Sequence, residues 1–285
     1  MVAFRLVLER HHRHRVKSLF GKIVSPNIIE LLLEQPQASW EPSRRMMTVF
    51  FADIRGFTGF TDRSRAEAET RVEKLGLAGD KAGKELDKAA AETMETINLY
   101  LSAVVESVKK HDGTLDKYIG DSVMAFWGAP LPNEHHAAAA VRAAVDAQRA
   151  VARLNASRAA ENQRREHANS DRVQCGEYPL PSLELLKIAV GVNTGMMTVG
   201  FMGSQDHLSN FTAFGREVNV ASRLQGLAGP GVIMVGELTG HEAKRQDPSL
   251  ASILATQSLI SIKGIAQPVA AFRVVWATPG PDEKA

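Results

Sequence analysis

The stretch TVFFADIRGF, residues 48–57, places four successive apolar side chains, Val49 to Ala52, directly ahead of a carboxylate. So short an apolar run, rich in β-branched and aromatic residues, reads as a buried strand, and Asp53 stands where the chain leaves the core. Two readings of that aspartate are open at this point. Asp accepts local backbone hydrogen bonds and begins turns, whereas a strand rooted in a core is also a rigid post whose tip can hold a metal ion over a cleft.

Around this strand the chain mixes strand and helix patterns. From about Ala66 to Lys110 the pattern is helical, with Gly76, Gly79 and Gly83 expected to break it. HDGTLDKYIGDSVMAFWGAP, from His111, has strand composition on both sides of Gly120-Asp121, the signal of a hairpin. An amphipathic helix is expected over 133–157, running into a polar stretch that ends at Tyr178-Pro179 and reads as an exposed loop. Ile188–Val192 and Met197–Phe201, joined by NTGM, read as a second hairpin. GREVNVASRLQGL, from Gly215, is helical and closed by Gly226 and Gly229-Pro230, and strands are expected near 231–235, 257–262 and 269–275. This order predicts an α+β fold with helices over one sheet.

At 285 residues and 44% hydrophobic, the chain has room for one catalytic-size domain and an appendage. The formal net charge of +2, from 34 basic and 32 acidic side chains, gives no global field for nucleic acid or membrane. One local basic patch exists at residues 5–17, where Arg5, Arg10, Arg13, Arg15 and Lys17 stand against Glu9; it suits a solvated linker helix or a segment just inside a membrane. Residues 25–34 read as a short helix with Ser25 as N-cap and Pro26 at its first position. The expected division is a basic, helical linker over 1–43, the main domain over 44–277 and a tail over 278–285. No apolar run reaches the roughly 18 residues of a spanning helix, and nothing resembles a signal peptide. Cys175 is the only cysteine, which excludes an internal disulfide framework and a multi-cysteine zinc site and favours a cytoplasmic setting. His11, His12 and His14 sit in the basic head, and His135 and His136 open a helix, so the histidines suggest no zinc site either.

A second carboxylate, Asp121, lies in the hairpin turn, and two carboxylates on rigid supports can bridge two divalent ions. FADIRGFT (51–58), LDKYIGDSVMAFWGAP (115–130), GVNTGMMTVGFMGS (191–204) and FGREVNVASRLQGL (214–227) resemble, in order, the motifs of the class III nucleotidyl cyclase catalytic domain. The resemblance covers roughly residues 44–277. It implies a ferredoxin-like βαββαβ-type core with a mixed sheet covered by helices. It also implies that Asp53, Asp121 and the Ile54 carbonyl hold two Mg2+ or Mn2+ ions, beside which the ribose 3′-hydroxyl attacks the α-phosphate.

The positions that read the base in this family match Lys117, four residues before Asp121, and Thr212, seven before Asn219. Lysine only donates and a threonine hydroxyl can accept, which suits the ring nitrogen and amino group of adenine; guanine offers the opposite pattern. The resemblance is to bacterial adenylate cyclases with a Lys/Thr pair, and it implies conversion of ATP to 3′,5′-cyclic AMP and pyrophosphate. The alternatives are a catalytically silent cyclase-like regulatory module and a guanylate cyclase.

Asn219 and Arg223 lie four apart on the expected helix and so share a face. By resemblance Asn219 orients the ribose, Arg223 stabilises charge on the α-phosphate and pyrophosphate, and Lys263 contacts the polyphosphate tail. Lys117 and Asp121 are too close in sequence for one chain to place them at the two ends of one nucleotide. The family's solution is a head-to-tail dimer, so a homodimer with two equivalent sites is expected. Residues 66–92 look like an insertion, 160–182 like a lengthened loop, and Arg216 stands where Asp is frequent. RVKSLFGKIVSPNIIELLLE resembles the linker that follows upstream sensors, some of them in membranes, and the Lys/Thr pair resembles a bicarbonate-responsive branch.

Overall fold

The computed structural model describes residues 41–203, 209–254, 256–261 and 268–277. The basic segment, the helix expected at 25–34, Lys263 and the C-terminal tail lie outside the described residues. The apolar run of the sequence is the middle of strand β1 (Ser43–Arg55), buried without interruption from Met47 to Ala52. Alternation sends its side chains two ways. Phe50, Ala52 and Ile54 join the main core with Tyr100, Val104 and Val141, while Met47, Val49 and Phe51 join a second core with Met197, Val218 and Ala221.

Helix α1 (Phe57–Lys74) follows through Gly56, whose φ of +83° is a left-handed turn, and α2 (Asp80–Lys110) runs back toward the sheet. The helix thus begins nine residues before the expected start. The break falls at 75–79, with Gly76 and Gly79 at positive φ, and Gly83 lies inside α2 rather than ending it. An Arg71–Glu85 ion pair of 2.7 Å ties α1 to α2.

Strands β2 (Thr114–Ile119) and β3 (Ser122–Trp127) form the expected hairpin, and α3 (His136–Gln174) covers the sheet. The polar stretch expected as a loop after residue 157 is the second half of α3. It contains no Gly or Pro, and it fastens the returning chain by hydrogen bonds. Asn162 bonds both the N–H and C=O of Leu183 (2.6 and 2.9 Å), Asn169 bonds both groups of Leu180 (2.6 and 3.0 Å), and Arg165 donates to the Pro181 carbonyl at 2.7 Å.

The segments expected as a hairpin around NTGM are one continuous strand, β4 (Lys187–Gly203). Two of its glycines, Gly191 and Gly195, answer to a helix rather than to a turn. A Cβ on Gly191 would lie 2.3 Å from the Ala221 carbonyl oxygen, and one on Gly195 would lie 2.6 Å from Glu217, so both let α4 (Arg216–Leu227) lie against the strand. β5 (Ser209–Phe214) pairs with the far end of β4. After α4 come β6 (Ile233–Gly236), α5 (Glu237–Gln246), a 3₁₀ turn, β7 (Thr256–Ile260) and β8 (Val269–Arg273).

Among the described residues the sheet order is β2-β3-β1-β4-β6-β8-β7, with β5 on β4 and only the β4–β6 pair parallel. This is the mixed α+β architecture expected. No helix among the described residues is long and apolar enough to cross a membrane.

Candidate active site

The pairing of β1 places the first carboxylate. Asp53 faces Ser122 at the last position where β1 meets β3, while Ile54 and Arg55 continue along β4 alone. Ser122 Oγ donates to Asp53 Oδ1 at 2.5 Å, and the Arg55 guanidinium stands 3.3 Å from Oδ2. The neighbouring hairpin turns through Gly120 (φ +62°) and Asp121, the Gly-first pattern that suits the sheet's twist. Burial and then the Asp53 charge push the Asp121 carboxyl above its ordinary range, against its own backbone N–H and Arg55.

A carboxyl whose ionisation is opposed by burial and by a second carboxylate beside it belongs to a donor set that a hard divalent cation relieves. Among the described residues no three His, Cys, Asp or Glu side chains form a metal-holding group. Two carboxylates with neighbouring backbone oxygen, water and phosphate filling the other positions nevertheless fit Mg2+, which favours such partly solvated sites. Ile54 buries its side chain in the core, so only its backbone could take part.

Arg55 was not singled out by the sequence reading. Its guanidinium also donates to the carbonyls of Gln225 (2.6 Å) and Ala228 (2.8 Å), at the C-terminal end of α4. The signal was present in DIR, since residues two apart on a strand share a face.

The base-reading candidates converge on a residue that sequence reasoning passed over. The β2–β3 register slips between Leu115 and Lys117, leaving Asp116 as the bulged residue. Its side chain has no exposure to solvent. Thr212, opposite Gly200 on β5 and itself buried, donates its hydroxyl proton to Asp116 Oδ2 at 2.5 Å. Lys117 Nζ lies 3.3 Å from Asp116 Oδ1, which makes no hydrogen bond, and the lysine side chain remains 35% exposed. Burial raises the Asp116 pKa, while Thr212, Lys117 and the Ala213 N–H pull it down. A charged residue inside the strand TLDKYI was the available signal.

Helix α4 carries the third group. Asn219 and Arg223 are exposed one turn apart, with Ala221 and Leu224 buried on the other side. Among the described residues no hydrogen bond or ion pair engages either side chain. The helix start is pinned by Asn193, whose amide donates to the Glu217 carbonyl (3.0 Å) and carboxylate (2.9 Å). Arg216 is exposed and only 3.9 Å from Glu217, a distant pairing. A concavity of about 570 Å³ lined by His136, Leu238, Glu242 and Arg245 shares no residue with these groups.

A mixed sheet flanked by helices, with paired aspartates at adjacent strand ends and a polar helix face nearby, defines a nucleotidyl cyclase catalytic domain. The chain belongs to the adenylate and guanylate cyclase catalytic-domain family, whose model matches residues 41–267. It is 28% identical to adenylate cyclase 1 of Rhizobium meliloti (strain 1021) over 191 residues, 67% of this chain and 22% of that protein. It is also 28% identical to an adenylate cyclase of Anabaena cylindrica over 74% of this chain and 32% of that protein. The chain therefore spans about a fifth to a third of the length of these relatives. Among solved structures, the adenylyl cyclase CyaB from P. aeruginosa is 28% identical, with a TM-score of 0.55 over 82% of this chain and 96% of that one. The guanylyl cyclase Cya2, 23% identical with a TM-score of 0.56 over 85% of this chain and 96% of that one, shares the fold.

Proposed function

We propose that this chain is an adenylate cyclase catalytic unit that converts ATP to 3′,5′-cyclic AMP and pyrophosphate at sites shared between two copies of the chain. The observation that carries the choice of ATP is the Lys117–Asp116–Thr212 cluster, which sets a donor beside an acceptor as adenine requires. The relatives named adenylate cyclases support the same reading. Asp53 and Asp121, with the Ile54 carbonyl, hold two Mg2+ or Mn2+ ions. Bound there, the ions supply Lewis acidity toward the ribose 3′-hydroxyl and the phosphate oxygens.

The chain's own groups then divide the work. Lys117 donates to the adenine ring nitrogen and Thr212 accepts from its amino group. Asn219 orients the ribose, so that the 3′-oxygen meets the α-phosphate in line with the departing pyrophosphate. Arg223 offers a guanidinium fork to the charge that builds on the α-phosphate and the leaving group, and Lys263 offers a point charge to the tail.

Assembly as a head-to-tail homodimer is supported by the layout of the β2–β3 hairpin. Lys117 is turned toward Asp116 and β5 while Asp121 neighbours Asp53, so two ends of the nucleotide would be served by different copies. Exposed apolar side chains on the elements that carry the site, among them Tyr118, Ile119, Met202, Phe214 and Leu227, suit burial against a second copy. A cytoplasmic setting, control by an upstream sensor and a response to bicarbonate belong to the same proposal.

The test incubates purified protein with ATP or GTP and Mn2+ or Mg2+, with and without bicarbonate, and quantifies both cyclic nucleotides beside Asp53→Ala. Cyclic AMP that disappears in the variant is the expected result. Preference for GTP would overturn the assignment of the base, and no product from a protein shown to be dimeric would favour a silent regulatory module.

A further inference from the structure

A threonine hydroxyl is chemically ambivalent, because it can donate its one hydrogen or accept on its lone pairs. Taken alone, Thr212 could accept from the amino group of adenine or donate to the carbonyl of guanine, and so would discriminate poorly. Asp116 removes that ambivalence. The carboxylate is wholly buried, its Oδ2 takes the Thr212 hydrogen at 2.5 Å, and the nearest other acceptor for that hydrogen is the Ala213 carbonyl at the limiting distance of 3.5 Å. With its proton committed inward, Thr212 presents only lone pairs outward. A purine amino group meets an acceptor there, and a purine carbonyl meets a repelling oxygen.

The same carboxylate holds the second reader. Lys117 Nζ sits 3.3 Å from Oδ1, the buried oxygen that has no hydrogen bond of its own. The bulge at Asp116 is the local device that turns this side chain out of the β2–β3 register and toward β5.

We propose that Asp116 is a specificity-determining positioning residue, which fixes Thr212 as an obligate acceptor and orients Lys117, so that the site takes a 6-aminopurine nucleotide and rejects a 6-oxopurine one. The inference rests on the adenylate cyclase reading of this site. Asp116 does not touch the nucleotide and acts through its two neighbours.

Asp116→Asn is a sharp probe. The Lys117 ammonium draws the amide carbonyl to the Oδ1 side, which turns the amide NH2 toward Thr212, fills its lone pair and frees its hydrogen to point outward. The experiment uses the full chain and measures affinities for ATP and GTP by displacement of a fluorescent nucleotide, together with kcat/KM for each. Wild-type chain is expected to prefer ATP. Asp116→Asn is expected to lower the ATP/GTP ratio in both measurements by roughly 10- to 100-fold, as losing a directed polar match does. Thr212→Ser should keep the wild-type ratio, and in a Thr212→Val background Asp116→Asn should lower the ratio by much less than in wild type, because only its hold on Lys117 is then left to lose.

If Asp116→Asn weakens both nucleotides equally, or if its effect on the ratio persists in full without the threonine hydroxyl, Asp116 does not set Thr212 as an acceptor and the inference fails while the adenylate reading stands. If wild-type chain itself lacks an ATP preference, the adenylate reading fails and carries this inference with it.

Discussion

Asp53 and Asp121 occupy the tips of adjacent strands, where burial and then the Asp53 charge oppose the ionisation of Asp121. Under the proposed metal-holding role of this pair, removing one charge should cost activity and leave stability intact. Asp53→Asn keeps an acceptor for the Ser122 hydroxyl and is expected to lower cyclisation at least roughly 10²-fold, the scale of losing a charge-stabilising group. Its metal-free unfolding midpoint should equal or exceed that of wild type. Mn2+ at about 100 times its Kd should raise wild-type unfolding free energy by about 2–3 kcal/mol, a rise that vanishes in the variant. Thermal scans with and without metal check both statements. His136 makes the opposite case, a buried polar group set apart from the chemistry. Its Nδ1 lies 2.7 Å from Thr48 Oγ1, which in turn lies 2.7 Å from Thr194 Oγ1. Burial lowers the His136 pKa, with the Glu242 carboxylate working against that shift and Arg245 with it. The unfolded chain takes up this proton near pH about 6.5, before the folded chain does, so stability is full above that pH and declines as pH falls below it. Urea titrations at pH 7.5 and 5.5 should show a loss at the lower pH that is smaller in His136→Gln.

The contact between β4 and α4 shows how an element is positioned by what it lacks. A Cβ at Gly191 would fall 2.3 Å from both the Ala221 oxygen and the Gln225 nitrogen, backbone atoms that cannot turn aside. Gly191→Ala is therefore expected to cost about 1–3 kcal/mol by overpacking. Because α4 carries Asn219 and Arg223, kcat should fall more than about tenfold as the helix shifts. Gly226→Ala, where an added Cβ meets nothing within 4 Å, should change stability by less than about 1 kcal/mol. Denaturation curves and initial rates on the two variants separate these outcomes. The same contact explains why β4 was misread from sequence. Gly191, Asn193, Thr194 and Gly195 have turn chemistry, yet helix α4, Glu217 and Thr48 are the partners that require them, and none is near in sequence. The far half of α3 was missed for a related reason. Its contacts run along a stripe of Asn162, Arg165 and Asn169, which pattern reading by apolar period does not register. Local chemistry sufficed for β1, where an apolar run simply ends in Asp53, and for the Gly120-Asp121 hairpin, whose turn residues carry their own geometry. Asp116 and Arg55 stand inside the motifs themselves, but their importance lies in side-chain contacts between β2 and β5 and between β1 and α4.

At the scale of the whole molecule, the decisive question is whether one chain completes one site. Asp53 and Asp121 belong to the β1–β3 tips, and the Thr212–Asp116–Lys117 cluster belongs to the junction of β2 and β5. If one nucleotide spans two copies, its phosphates meet the aspartates of one chain while its base and transition-state charge meet Lys117, Thr212, Asn219 and Arg223 of the other. Asp53→Ala and Arg223→Ala chains, each inactive alone, should then restore activity when mixed. With random pairing, half the dimers are mixed. Each of these has one site that draws its aspartate from the Arg223→Ala chain and its arginine from the Asp53→Ala chain. Recovered activity should approach about one quarter of wild type, because an isologous dimer holds two equivalent sites. Specific activity of the wild-type chain should also rise with protein concentration until the dimer is saturated. A site complete within one chain gives no recovery at any mixing ratio, so the cyclic AMP yield of the mixture discriminates between the two arrangements.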